Sequence, residues 1–320
     1  MDFAYLKKYI YRYRRQFLTA IIFISLETFG DLIQPTIMSK IIDNGVKRGD
    51  MDYVLKLGAL MFLVTALGAT FAIIRNLISS KVSQRFGADL REDLYIKIQS
   101  LSLQNIDEFQ DASLITRLTN DVNQVQNFAH GSMRIFVKAP VLGIGAVIMS
   151  FILNPKMALI PLAIVPMVAF IISCNLKISY PIFTRIQKAL DKVNGVMREY
   201  LAGIRLVKAF NRFEYEKERF RKVNEGLKNI TLKGMRIMAI FNPTVSLTVS
   251  IGIVLVLWIG GVRVNSGNME VGKIMAFVNY MTQVLHSLVL MTRILNMFIR
   301  AKASAERIGE VFATESSMIL

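Results

Sequence analysis

Six stretches of the chain are each long and apolar enough to cross a lipid bilayer, and no other feature constrains the fold as much. A crossing helix needs ~20 largely apolar residues. The stretches near 16–42, 54–78, 135–153, 157–176, 237–260 and 272–293 have that length and character. In hydrocarbon, backbone amides must be satisfied internally, so each stretch is expected as a helix. Hydrophobic residues make up 53% of the 320 residues, yet the formal net charge is +16. A soluble domain this apolar has little surface left for such a charge. Here the charge is gathered between the apolar stretches, the pattern of a polytopic membrane protein. A basic excess can also serve nucleic acid, but the apolar runs are too long for that, and no nucleic-acid partner is expected.

Basic residues set the expected orientation. Lys7, Lys8, Arg12, Arg14 and Arg15 precede the first span, and residues 177–236 hold 15 Lys and Arg against 6 Asp and Glu. The short turn at 154–156 holds only Lys156. Both termini and both long excursions, between spans two and three and between four and five, are therefore expected in the cytoplasm, with the protein multi-pass in the plasma membrane. Residues 81–121 run against the trend, with five basic and seven acidic residues, but long excursions follow the rule poorly. The start, "MDFAYLKKYIYRYRRQF", lacks the cleavage site of a signal peptide. Cys174 is the single cysteine, and His130 and His286 lie far apart, so neither a disulfide nor a metal site is expected.

The excursions carry helical periodicity. Phe86, Leu90, Leu94, Ile98 and Leu101 recur at intervals of three or four, as do Leu114, Leu118, Val122 and Val125. The second excursion repeats the pattern through Leu190, Val193, Met197, Tyr200, Ile204 and Val207, then Phe220, Val223, Leu227 and Ile230. These are amphipathic helices that carry the spans into water. From Lys81 to Asp107 such a helix rises ~39 Å. Each excursion breaks once, at "LQNIDEFQDASL" and at "AFNRFEYEKERF", where Asn211 and Glu214 fit a capping-box start. A short helix lying across the tips of two long ones is expected at each break.

One stretch resembles a nucleotide site. "GNMEVGK", with Gly267, Gly272 and Lys273, is most of the phosphate-binding pattern G-x-x-x-x-G-K-[ST]. The next residue is Ile274, so the magnesium-binding hydroxyl is missing, no strand precedes Gly267, and the stretch lies in the expected outer turn. A glycine-permitted turn is the better reading, and no catalytic or cofactor-binding residue is assigned.

"SLITRLTNDVNQVQNF", "GIRLVKAFNRFEYEKERF", "GVRVNSGNMEVGKIMAFVNY" and "ASAERIGEVF" occur in an order and spacing that resemble the transmembrane half of an ATP-binding cassette exporter of the bacterial multidrug type, including those that work as heterodimers. The resemblance implies an all-α membrane fold of six transmembrane helices with long cytoplasmic extensions and two coupling helices. It also implies an amphipathic elbow helix at 1–14, the membrane domain at 15–310, and the start of a linker at 311–320 toward a nucleotide-binding domain that would hold ATP and Mg. The chain stops at Leu320, before any such domain, so an isolated membrane domain without ATPase activity of its own is expected. The implied partners are a second half-transporter, identical or paralogous, with which spans four and five are exchanged, together with nucleotide-binding domains and membrane lipids.

The resemblance makes the two breaks coupling helices, placed at Ile106, Asp107, Glu108, Phe109 and Gln110 and at Arg212, Phe213, Glu214, Tyr215 and Glu216. Phe109, Phe213 and Tyr215 are the expected apolar anchors, unless they only cap the helix bundle. A transport path should show as polar residues within the spans. Glu27, Asp31 and Gln34 share one face of the first span. Carboxylates at that depth are costly, so they either line a water-filled cavity that attracts a hydrophobic or cationic small molecule, or pair with Arg75 or another helix. Asn279, His286, Arg293 and Arg300 repeat every seven residues in the sixth span, with headgroup anchoring the competing reading for the two arginines. Asn242 precedes Pro243, a candidate kink in the fifth span. A self-sufficient channel or receptor without ATP coupling, or a membrane-embedded enzyme, would also explain six spans, but neither gives the broken excursions a purpose.

Overall fold

The computed structural model describes residues 4–109 and 111–315. Five helices are far longer than a bilayer requires: α1 (Ala4–Lys40), α2 (Met51–Gln99), α7 (Pro155–Ala202), α9 (Phe213–Asn265) and α10 (Val271–Ala313). Shorter ones lie between them: α3 (Leu103–Phe109), α4 (Asp111–Thr116), α5 (Val122–Gly131), α6 (Lys138–Leu153) and α8 (Ile204–Ala209). Wider π-type turns occupy Ile41–Val46, Arg117–Asp121 and Ser132–Phe136. Six helical segments are long and apolar enough to cross a membrane, and among the described residues there is no strand.

The chain divides into two units. The first comprises residues 1–162 and 253–320, the second 163–252. In the first, α1 packs on α2, α6 and α10, and α10 also packs on α5. Its apolar core lies at the end that carries the first excursion. Tyr9, Phe86, Leu90, Leu94, Val122, Met133 and Ile308 are almost fully buried there, with Ile98 and Leu118 against them. The amphipathic stripes of the first excursion thus meet one another, as periodicity predicts. The placement follows from solvent. Water drives apolar side chains together, whereas lipid is as apolar as leucine and leaves span faces open. The most apolar window of α2 accordingly has none of its residues buried.

Of the stretch expected as an elbow helix, residues 4–14 continue directly into the first span. From Ala4 onward they are the opening turns of α1, which runs unbroken to Lys40. Their polar groups dock sideways: Tyr9 and Lys8 donate to Asp93 at 2.5 and 2.8 Å, Tyr13 donates to Asp89 at 2.6 Å, and Tyr5 donates to the Ala305 carbonyl at 2.8 Å. These bonds and the Tyr9–Phe86 edge contact hold the helix in line.

In the second unit the long arms of α7 and α9 run antiparallel. Gly234 sits against Ile182 and Ile186, and Arg219 pairs with Glu199. The expected stripe is only partly covered: Val193, Tyr200 and Val207 are half-buried, while Leu190 and Met197 are exposed.

Candidate functional site

Three helices of the first unit bring four opposite charges together at membrane depth. Glu27 accepts from Arg75 Nε at 3.0 Å and from Lys138 Nζ at 2.7 Å, and the same Nζ lies 2.9 Å from Asp31 Oδ2. Glu27 and Asp31 meet one lysine because they stand four apart on α1; Lys138 can reach both because it is the first residue of α6. The Glu27 and Arg75 side chains are 10% and 7% exposed, and Asp31 is 38% exposed. Each carboxylate is matched by a cation, so the group is neutral as a whole. Buried charges are tolerated when paired this way, and removing one partner is costly. Gln34 is set one turn further along and bonds Thr65 at 3.2 Å.

Asn279, His286 and Arg293 are not part of this cluster. With Arg300 they lie on the exposed side of α10, whose opposite side is fixed to α1: Tyr280 donates to the Leu32 carbonyl at 2.8 Å and Gln283 to the Asp31 carbonyl at 2.9 Å. Asn242 is exposed beside Pro243 in the second unit, within an uninterrupted α9.

The Gly267–Lys273 stretch is a structural joint. Gly267 has φ +74°, the left-handed conformation a glycine adopts at no cost. The Gly272 amide donates to buried Asp43 at 2.6 Å, so a carboxylate from the first turn sits at the start of α10. A Cβ on Gly272 would lie 2.3 Å from the Ser39 carbonyl oxygen, which leaves room only for glycine. Lys273 pairs with Glu270 at 3.2 Å on the surface.

Both breaks exist, with a shift in the second. The first is α3, where Ile106 and Phe109 turn onto the core while Asp107 and Glu108 are exposed; Gln110 lies outside the described residues. The second short helix is α8, upstream of the expected 212–216. Asn211, at φ 50°, ends that excursion arm, and Phe213 opens α9, so Phe213, Glu214, Tyr215 and Glu216 form the first turn of the long helix, preceded by Arg212 in the turn. Asn211, expected to open a helix through a capping box with Glu214, is instead left-handed at the end of the turn after α8, and the first bond of the long helix runs from the Glu216 amide to the Arg212 carbonyl. Gly203 separates α7 from α8. The exposed apolar residues here are Leu206, Phe210, Phe213 and Tyr215, and Phe213 borders a groove of ≈330 Å³ with Val196, Met197, Tyr200 and Phe220.

A second polar cluster was not anticipated. Asp121, fully buried, accepts from Ser304 Oγ at 2.8 Å and Arg307 Nε at 2.8 Å, while Arg117 pairs with Glu310 at 2.8 Å, bonds the Arg307 carbonyl and covers the Phe109 ring. It ties the first excursion to the tail of α10. The signal lay in "TRLTND", an arginine and an aspartate four apart, and in the Ser304, Arg307, Glu310 spacing of three.

Three comparisons bear on this arrangement. The chain is 36% identical to the ABC transporter ATP-binding protein YfiB of Bacillus subtilis over 92% of its own length and 52% of that protein. It is 33% identical to the ABC transporter ATP-binding protein Rv1273c of Mycobacterium tuberculosis over 99% of its length and 55% of the relative. It is 25% identical to the ATP-dependent lipid A-core flippase of Syntrophus aciditrophicus over 88% of its length and 46% of the relative. The chain thus spans about half the length of the curated relatives it matches. Residues 17–288 match the family described as the ABC transporter transmembrane region, and with six membrane-length helices and two broken excursions in place, this multi-pass membrane protein belongs to that family.

Proposed function

We propose that the chain is the membrane domain of an ATP-driven exporter, which moves amphipathic drugs or lipids out of the cytoplasm or inner leaflet by alternating access. It works in the plasma membrane with both termini cytoplasmic, beside a second half-transporter, identical or paralogous. Nucleotide-binding domains supply ATP and Mg, and this chain supplies the path and the coupling surface. The observation that carries the reading is the exposed apolar edge at the second break: Leu206, Phe210 and Tyr215 are 64%, 72% and 63% exposed in a segment whose strongly charged flanks place it in water. Aromatic anchors of this kind dominate a binding groove once a partner covers them. The lipid flippase among the relatives supports amphiphiles as the substrate class. Family resemblance supports exchange of the fourth and fifth spans with the partner half.

The mechanism follows from the element lengths. Closure of two ATPase domains around nucleotide draws the breaks together, and helices of 43 to 53 residues carry that movement to the membrane. The test is reconstitution of the chain with its ATPase domains in liposomes. Phe210→Ala with Tyr215→Ala should lower substrate-stimulated ATP hydrolysis about tenfold or more and abolish transport, with basal hydrolysis retained. A steady ion conductance independent of ATP would favour a channel and overturn the exporter reading.

A further inference from the structure

Three arginines of the first unit, at or near the inner boundary, stand without a carboxylate partner among the described residues. Glu27 and Asp31 are balanced by Arg75 and Lys138. Among the described residues Arg293 and Arg300 have no ion-pair or hydrogen-bond partner, and Arg134 meets no carboxylate, only the His130 ring at 3.1 Å. All three arginines are exposed on the first unit.

Contacts fix their depth. Gln283 meets Asp31 and Ala305 meets Tyr5, so interpolation along the antiparallel pair sets His286 near Glu27, Arg293 near Thr19 and Arg300 near Tyr11. Ser287 lies against Gly143 and Met297 against Gly131, which sets Arg134 near the level of Arg293. Arg293 is then about four residues, or ~6 Å, inside the boundary marked by Arg15. A guanidinium at that depth requires water or a counter-ion, and among the described residues no carboxylate lies within ion-pair distance of Arg293. Asn279 and His286 extend the same exposed stripe away from the boundary, together with Met275, Thr282 and Val289. The surface therefore grades from apolar and neutral to doubly cationic toward the inner boundary.

We infer that this face of α10, with Arg134 beside it, receives an amphiphile whose head is anionic, a phosphate or carboxylate held by Arg293, Arg134 and Arg300 with its tail along Met275, Thr282 and Val289. The inference rests on the exporter reading and names its substrate class; it reverses the cation preference that Glu27 and Asp31 imply when read without their partners. Guanidinium groups suit the task, since they form paired hydrogen bonds to phosphate or carboxylate oxygens.

The test is equilibrium binding to the purified chain in phosphatidylcholine nanodiscs. Three fluorescent dodecyl amphiphiles share one tail and one dye and differ in the head: phosphate, trimethylammonium or neutral glycol. The phosphate should bind about tenfold tighter than the other two. Arg293→Gln with Arg300→Gln should bring it down to the neutral probe, Arg293→Glu should turn the preference toward the ammonium, and Lys56→Gln at the other end should change nothing. Inorganic phosphate at equal concentration should not displace the probe. Equal binding of all three probes, displacement by inorganic phosphate, or a preference that survives the Arg293 and Arg300 changes but vanishes with Arg14→Gln and Arg15→Gln would each overturn the inference. Transport by the reconstituted assembly separates the two readings. Tight phosphate binding with no ATP-driven movement of any probe would remove the exporter reading and leave the site; transport without charge preference would remove the site and leave the exporter.

Discussion

Single side chains here act mostly through what they leave unpaired. Glu27→Gln removes the shared acceptor of Arg75 and Lys138, and breaking a buried pair on one side costs ~3–5 kcal/mol. The variant should unfold at markedly lower temperature in detergent, and Glu27→Gln with Arg75→Gln should recover part of that loss. If Glu27→Gln melts with the wild type, the pair is not structural. At the joint before α10, Gly272→Ala forces a methyl group against the Ser39 carbonyl and should cost at least ~1–3 kcal/mol. Lys273→Ala removes one surface pair and should stay within ~0.5 kcal/mol while leaving ATP-dependent transport nearly intact. A thermal-shift series on the two variants checks the contrast, and equal losses would contradict it.

Elements are held in place by polar clamps at their ends. Asp121→Ala deprives Arg307 and Ser304 of their common partner and should release the end of α10. Hydrogen exchange should rise several-fold over residues 301–313 with little change over 272–290; uniform protection throughout would show the clamp to be idle. Helix positions were legible in the sequence because the spans and the Phe86–Leu101 and Leu114–Val125 stripes are long and strongly periodic. What was not legible depended on partners distant in sequence. Lys138 stands at the edge of an apolar run and reads as a boundary residue until Glu27 and Asp31 are seen beside it. The straightness of α1 comes from Asp89, Asp93 and Ala305, none of them local. The second short helix lies upstream of the expected 212–216 because the arm breaks at Gly203, a signal weaker in the sequence than the polar run after Asn211. Arg75 was weighed as a partner for the acidic face, and the structure brings it to Glu27 alone.

For the whole molecule, the proposed division of labour between membrane domain and ATPase domains gives the prediction. The chain by itself should hydrolyse no ATP above background, and hydrolysis should appear when ATPase domains are joined or added; turnover by the purified chain alone, resistant to further purification, would overturn the assignment of ATP to those domains. A different consequence follows from the bonds between α1 and α10. Asp43 reaches Gly272 across 229 positions, and Tyr5 reaches Ala305 across 300. A ribosome making this chain therefore delivers the first helix long before its last neighbour exists. Arg75 emerges early enough to neutralise Glu27 within the first hairpin, and Lys138 follows with the third span. The seam with α10 has to wait until α10 itself has left the tunnel. A nascent chain halted before residue 270 would hold Glu27 and Asp31 paired in the bilayer while keeping one flank open, which is the form a quality-control protease should recognise.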